Sequence, residues 1–118
     1  MNAPRRDEHL RHMLAAAREV RQFVGGQDRE AFMADRRTQQ AVVMSLLIIG
    51  EGAAKVMDAD PEFARKHAGL PWRSMRGMRN RMIHGYFETN FELVWETVNV
   101  EIPPLIARLS DLLDRDPD

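Results

Sequence analysis

Apolar positions recur along this chain at three- and four-residue steps, the spacing of one face of an α-helix. Residues 7–24 form the first such segment. Leu10, Leu14, Ala17 and Val24 share a face, with Val20 or Arg21 between them, and Gly25-Gly26 ends it. A short helix is expected after Asp28, with Phe32 and Met33 turned inward. Residues 35–58 follow, with Asp35 as a candidate cap. This segment is the hydrophobic centre, apolar nearly all round from Ala41 to Val56, so it must be covered on several sides. It would be roughly 33 Å long. A small chain offers few helices to cover such a rod, and the surplus argues for a helical homodimer. Gly50 and Gly52 bracket Glu51, where small residues would let another backbone come close. Glu51 itself is either paired with an arginine or exposed.

Residues 59–70 read as a connector, in which Pro61 starts one or two turns through His67 and Gly69 closes them. Residues 75–87 organise the rest. They belong to one helix of roughly 12 residues, led in by Pro71 and Trp72 and ended by Gly85. His84 and Tyr86 stand at its C-terminal end. Trp72, Met75, Met78 and Met82 make an apolar stripe, and Arg73, Arg76, Asn80 and His84 a polar one. Thr89-Asn90-Phe91-Glu92 matches a capping box with Thr89 as cap. From there Phe91, Val94 or Trp95, Val98, Ile102, Leu105, Leu109 and Leu112 keep one stripe. Pro103-Pro104 predicts a kink near Glu101, with the helix resuming to about Asp114 and 116–118 as a frayed tail. Nothing alternates with period two. The class is therefore all-α: one domain over 1–118, an antiparallel bundle of four main helices plus short ones.

Composition narrows the function. At 118 residues with 44% hydrophobic and 30% charged, the chain suits one soluble domain. With no cysteine it can build neither a disulfide framework nor a thiolate zinc site, which fits a cytoplasmic protein. The N-terminus lacks the apolar core of a signal peptide. The longest apolar run, 41–50, is too short to cross a bilayer, so no membrane role is expected. The net charge of −1 hides an asymmetry: 63–87 contains no Asp or Glu but holds Arg65, Lys66, Arg73, Arg76, Arg79 and Arg81. That window is +6 and the remainder −7. It is either a local anion site or a solvated, salt-bridged face. His9 and His12 are three apart but have no third ligand at matching spacing, so they read as surface residues, as does His67.

The basic window coincides with a histidine, an asparagine and a tyrosine. Histidine moves protons near neutrality. The planar arginine fork binds phosphate at two points. Such groups suit cleavage of RNA without metal: a base takes the 2′-hydroxyl proton, the oxygen attacks phosphorus, and arginine offsets charge on the phosphoryl oxygens. A metal-dependent nuclease would need clustered carboxylates, which this window lacks. On an ideal helix Arg79 and His84 lie about 140° apart. They converge only if the last turn tightens or a second subunit supplies one of them.

Arg79-Asn80-Arg81-Met82-Ile83-His84-Gly85-Tyr86 resembles the R-x-x-x-x-H-x-Y signature of the HEPN superfamily, specifically HepT-like toxins of MNT–HepT toxin–antitoxin modules. Ile49-Gly50-Glu51-Gly52-Ala53, Trp72, and Val94-Trp95 follow the family pattern in the same order. The resemblance implies an all-helical bundle acting as a homodimer, with the signature residues of both copies across one cleft. It implies a metal-independent endoribonuclease, the toxin of a type VII-like module, that needs no cofactor. Arg79 would bind and stabilise the scissile phosphate, His84 would act as general base or acid or bind phosphate, and Asn80 would orient one of them. Arg76 and Glu51 are accessory candidates. The implied partner is a minimal nucleotidyltransferase antitoxin that transfers AMP to Tyr86. The alternative is a non-catalytic HEPN subunit that binds a nucleotide or docks a nucleotidyltransferase.

Overall fold

In a computed structural model, which describes residues 1–115, the chain folds into seven α-helices, with no strand among the described residues. They are α1 (Ala3–Val24), α2 (Arg29–Met33), α3 (Arg36–Ala59), α4 (Pro61–Lys66), α5 (Trp72–His84), α6 (Phe91–Glu96) and α7 (Ile102–Arg115). The expected tail at 116–118 lies outside the described residues.

The long helix α3 is the centre, as its all-round apolarity requires. By length and composition alone it could cross a bilayer. Here α1 packs along one side of it and α5 along another. Val42, Leu46, Ile49, Ala53 and Val56 are buried between them. The two glycines set how close the neighbours come. A Cβ at Gly50 would lie 2.4 Å from Arg79 Cβ and 2.7 Å from Met75 O, so α5 rests directly on that position. A Cβ at Gly52 would lie 2.5 Å from Met13 Cγ of α1. The close approach read from the sequence is thus satisfied within the chain. A third side remains open, where Met44 is 58% and Ile48 42% exposed.

Local chemistry sets most helix starts. Asp28 accepts from Ala31 N (2.8 Å), Asp35 from Thr38 N (3.1 Å) and Asp60 from Phe63 N (3.2 Å). The Thr38 hydroxyl also donates to Asp35 and holds its carboxyl below the usual range. Helix α1 begins earlier than the apolar pattern indicates, at Ala3 and not at residue 7, because Asn2 caps it by accepting from Arg5 N. Val20 faces the core and Arg21 does not. Pro71 is the cap of α5, with Trp72 its first helical residue. His67 is not a plain surface residue: it is half-buried with its ring 4.4 Å from that of Phe63.

Two expectations fail in the last third. Asn90, not Thr89, caps α6, accepting from Leu93 N at 3.2 Å. Glu92 does not reach back to a capping box; it pairs with Arg29 Nε at 2.9 Å and helps fasten α2 to α6, where Phe32 also meets Trp95. The kink expected near Glu101 is instead a π-helical stretch over Thr97–Glu101 that joins α6 to α7. The prolines remove the hydrogen bonds Asn99 O and Val100 O would receive, and widening to a five-residue step relieves that loss. Arg21 Nη1 takes up Val98 O at 3.2 Å. The buried stripe runs unbroken through Val94, Val98, Ile102, Leu105 and Leu109, as expected.

Candidate active site

Helix α5 buries Trp72, Met75 and Met82 and half-buries Met78, the stripe its sequence predicts. Because those residues fix its rotation, its other side chains fall on three different sides.

Arg79 turns toward α3. Its side chain is only 20% exposed, and Nη1 lies 3.2 Å from Glu51 Oε2. Its Nε is buried without a hydrogen-bond partner among the described residues. One turn earlier, Arg76 Nη1 lies 3.3 Å from Asp58 Oδ1. Glu51 is thus both paired and, at 49%, exposed. Asn80 and Arg73 face solvent.

His84 is exposed, with no hydrogen bond or ion pair among the described residues. The backbone N–H of Gly85 bonds to Arg81 O at 2.9 Å, an ordinary α-helical step. The last turn therefore does not tighten, and His84 stays on a different side of α5 from Arg79. Tyr86 opens a short 3-10 turn, Tyr86–Glu88, rather than ending the helix. It is half-buried, edge-on to Phe91 with centroids 6.5 Å apart. Of the basic window, Arg65, Arg76 and Arg79 are ion-paired with Glu62, Asp58 and Glu51. Arg73 and Arg81 are not paired among the described residues. Both readings of that window are thus partly realised.

The third side of α5 opens into a cavity of about 660 Å³ between α5 and the α6–α7 arm. His84 and Arg81 stand on its lining, with Thr89 and Asn90 beyond them. Arg79, Asn80, Tyr86 and Glu51 do not. The sequence reading gave Thr89 to the helix cap and so missed that it belongs here. Among the described residues no three His, Asp or Glu side chains group to hold a metal. His9 and His12 remain unassigned to any site.

The description "Ribonuclease HepT-like" belongs to a family model that matches residues 13–112, which takes in every helix at this site. The chain belongs to the HepT-like ribonuclease family, within the HEPN superfamily. A candidate RNase of Caldanaerobacter subterraneus subsp. tengcongensis is 36% identical over 116 residues, covering 98% of this chain and 99% of the relative. A candidate ribonuclease HepT of Thermococcus cleftensis is 39% identical over 83 residues, 70% of this chain and 73% of the relative. A candidate RNase of Methanocaldococcus jannaschii is 30% identical over 104 residues, 88% of this chain and 84% of the relative. No solved structure matches the chain. The all-α bundle and the ribonuclease class thus agree with the sequence reading.

Proposed function

We propose that this HepT-like chain is the toxin of an MNT–HepT module, a homodimeric endoribonuclease whose working cleft takes Arg79 from one copy and His84 from the other. One observation carries this reading: Arg79 and His84 lie on different sides of α5, and its last turn is regular. One chain therefore offers a phosphate-binding fork and a proton-transfer group, unpartnered among the described residues, that do not meet. A two-fold pairing brings each to the other's partner. The exposed Met44 and Ile48 of α3, with Ile83 at 54% on α5, supply apolar surface beside these residues for a second copy.

In that cleft His84 takes the proton from a 2′-hydroxyl. The 2′-oxygen bonds to phosphorus as the bond to the 5′-oxygen breaks, and the departing oxygen takes a proton from water. Arg79 stabilises the charge on the phosphoryl oxygens, and Asn80 orients the reacting groups. The chemistry uses no metal. A nucleotidyltransferase partner silences the enzyme by transferring AMP from ATP to the Tyr86 oxygen: the phenolic oxygen loses its proton and bonds to the α-phosphorus as pyrophosphate leaves, which places a bulky anion two residues from His84. Such chemistry on RNA suits the cytoplasm.

The Arg79–Glu51 pair also suits a non-catalytic subunit, since a paired arginine is less available to phosphate. Induced expression separates the two. The catalytic reading expects growth arrest with RNA cleavage, relieved by His84→Ala or Arg79→Ala. Harmless wild-type protein with intact RNA would favour the docking subunit.

A further inference from the structure

Gly50 and Gly52 stand inside a helix because α5 and α1 rest on them. Gly77, in the middle of α5, has no such neighbour. A Cβ there would meet one atom within 4 Å beyond the helix's own backbone among the described residues, Arg81 Nη1 at 3.5 Å, which is an ordinary contact. Its φ is negative, so the backbone does not ask for glycine either. Glycine in a helix interior weakens the helix relative to alanine. Nothing among the described residues offsets that cost, so the bare position serves a group that approaches from outside.

The surroundings of Gly77 select that group. Arg73, Gly77, Asn80 and His84 lie within about 60° of one another around α5. The three side chains are exposed. Arg81 starts nearer the cavity, and its guanidinium folds back one turn to Gly77. Arg73 and Arg81 are unpaired among the described residues, whereas Arg76 and Arg79 are held by carboxylates of α3. Helix α5 carries no Asp or Glu. Glu88 and Glu101 line the neighbouring cavity without pairing with Arg81. Glu88 comes to α5 at Gly85, about 12 Å along the axis from Gly77. Two free guanidinium forks beside a surface without a side chain make a seat for a phosphate. A second copy packed here about a two-fold axis would set Arg73 and Arg81 against their own duplicates, like charge on like charge.

We propose that Gly77, with Arg73 and Arg81 on either side, seats a second, unreacting phosphodiester of the RNA strand cut at His84. The seat lies about 10 Å along α5 from His84, so a strand bound at one crosses the other. The absent Cβ lets the strand lie close enough for both forks to reach it. The proposal rests on the ribonuclease reading for its substrate class. It gives Arg81 a part in holding the strand and none in the chemistry.

The test reads binding and not cleavage. The probe is a fluorescein-labelled 2′-O-methyl oligoribonucleotide, which has no 2′-hydroxyl to attack. Its affinity for the full-length protein is measured over a series of salt concentrations. Gly77→Ala changes no charge and adds a methyl only where an outside group would lie. It should melt at or above the wild-type temperature and yet bind the probe about tenfold more weakly. Its plot of log affinity against log salt should be shallower by about 0.7, the share of one single-strand phosphate. Arg73→Gln and Arg81→Gln should flatten the plot likewise. Arg65→Gln, at an arginine paired with Glu62 on α4, should not. No binding of the probe by wild type, or wild-type affinity and slope in Gly77→Ala, would overturn the proposal. So would a lower melting temperature in Gly77→Ala, which would give the glycine a structural reason. Loss of the dimer in Gly77→Ala on sedimentation would overturn it too, by making the second copy the occupant. RNA cleavage with an unmoved slope would leave the ribonuclease reading standing without this seat. A flattened slope in a protein that cleaves nothing would support the seat alone.

Discussion

Arg79 Nη1 lies 3.2 Å from Glu51 Oε2, so the first arginine of the signature is held by a carboxylate from the central helix. The two residues are 28 apart in sequence and meet because Gly50 lets α5 rest on α3. Glu51 thereby fixes the direction of the guanidinium before any substrate arrives.

Glu51→Gln should therefore change activity more than stability. The pair is half-exposed on the glutamate side, so its loss should cost less than about 1 kcal/mol of unfolding free energy. Loss of orientation should slow single-turnover RNA cleavage by roughly tenfold. Melting curves and cleavage rates on the same preparation check both. A variant that cleaves as fast as wild type would remove Glu51 from the site.

Gly50→Ala should be costly for its size. The added carbon would sit 2.4 Å from Arg79 Cβ, where a backbone and not a flexible tip must move. Overpacking of this kind destabilises by about 1–3 kcal/mol, readable as a lower urea midpoint. Gly52→Ala meets Met13, a side chain with more freedom to shift, and should cost less. Equal losses at the two positions would contradict the account of how α5 is seated.

Much of this was legible in the sequence, for reasons that differ by residue. The α3 rod and the stripe from Val94 to Leu109 follow from period alone. The cap at Asp35 and the helix start after Asp28 are local choices within four residues; the cap at Asp60 is just as local but was not read. Thr89 and Asn90 show where local rules stop: both fit the cap, and which one takes it depends on Glu92 being drawn away by Arg29, 63 residues distant. The cavity is not legible at all. It forms because α5 and the α6–α7 arm both pack on the central bundle without closing on each other. The sides of α5 could be counted from the sequence, and that count correctly separated Arg79 from His84.

Cleavage should persist in excess EDTA. Its products should carry 2′,3′-cyclic phosphate and 5′-hydroxyl ends, because the proposed mechanism makes the 2′-oxygen the nucleophile. End-group analysis of a labelled oligonucleotide reads this, with an all-deoxy version as control. Loss of activity on chelation, or a cut deoxy strand, would count against the mechanism.

His9 gives a pH dependence apart from catalysis. Its pKa lies below the ordinary 6.5, first because it is partly buried and then because Lys55 and Arg5 are near. The unfolded chain therefore binds this proton more readily than the folded one. Stability is fully present above that ordinary value and is lost as pH falls from it toward the lower folded value. The difference in urea midpoint between about pH 7.5 and about pH 5 should shrink in His9→Gln. An unchanged difference would show that other groups carry the acid sensitivity.

The composite cleft is tested most directly by mixing two dead proteins. Arg79→Ala and His84→Ala, each inactive alone, are unfolded together and refolded so that copies pair at random. Half the dimers are then mixed, and each mixed dimer holds one cleft with both groups intact. RNA cleavage should return to about a quarter of the wild-type level. If the mixture stays as inactive as its parts while mixed dimers are present, Arg79 and His84 do not act across the two copies.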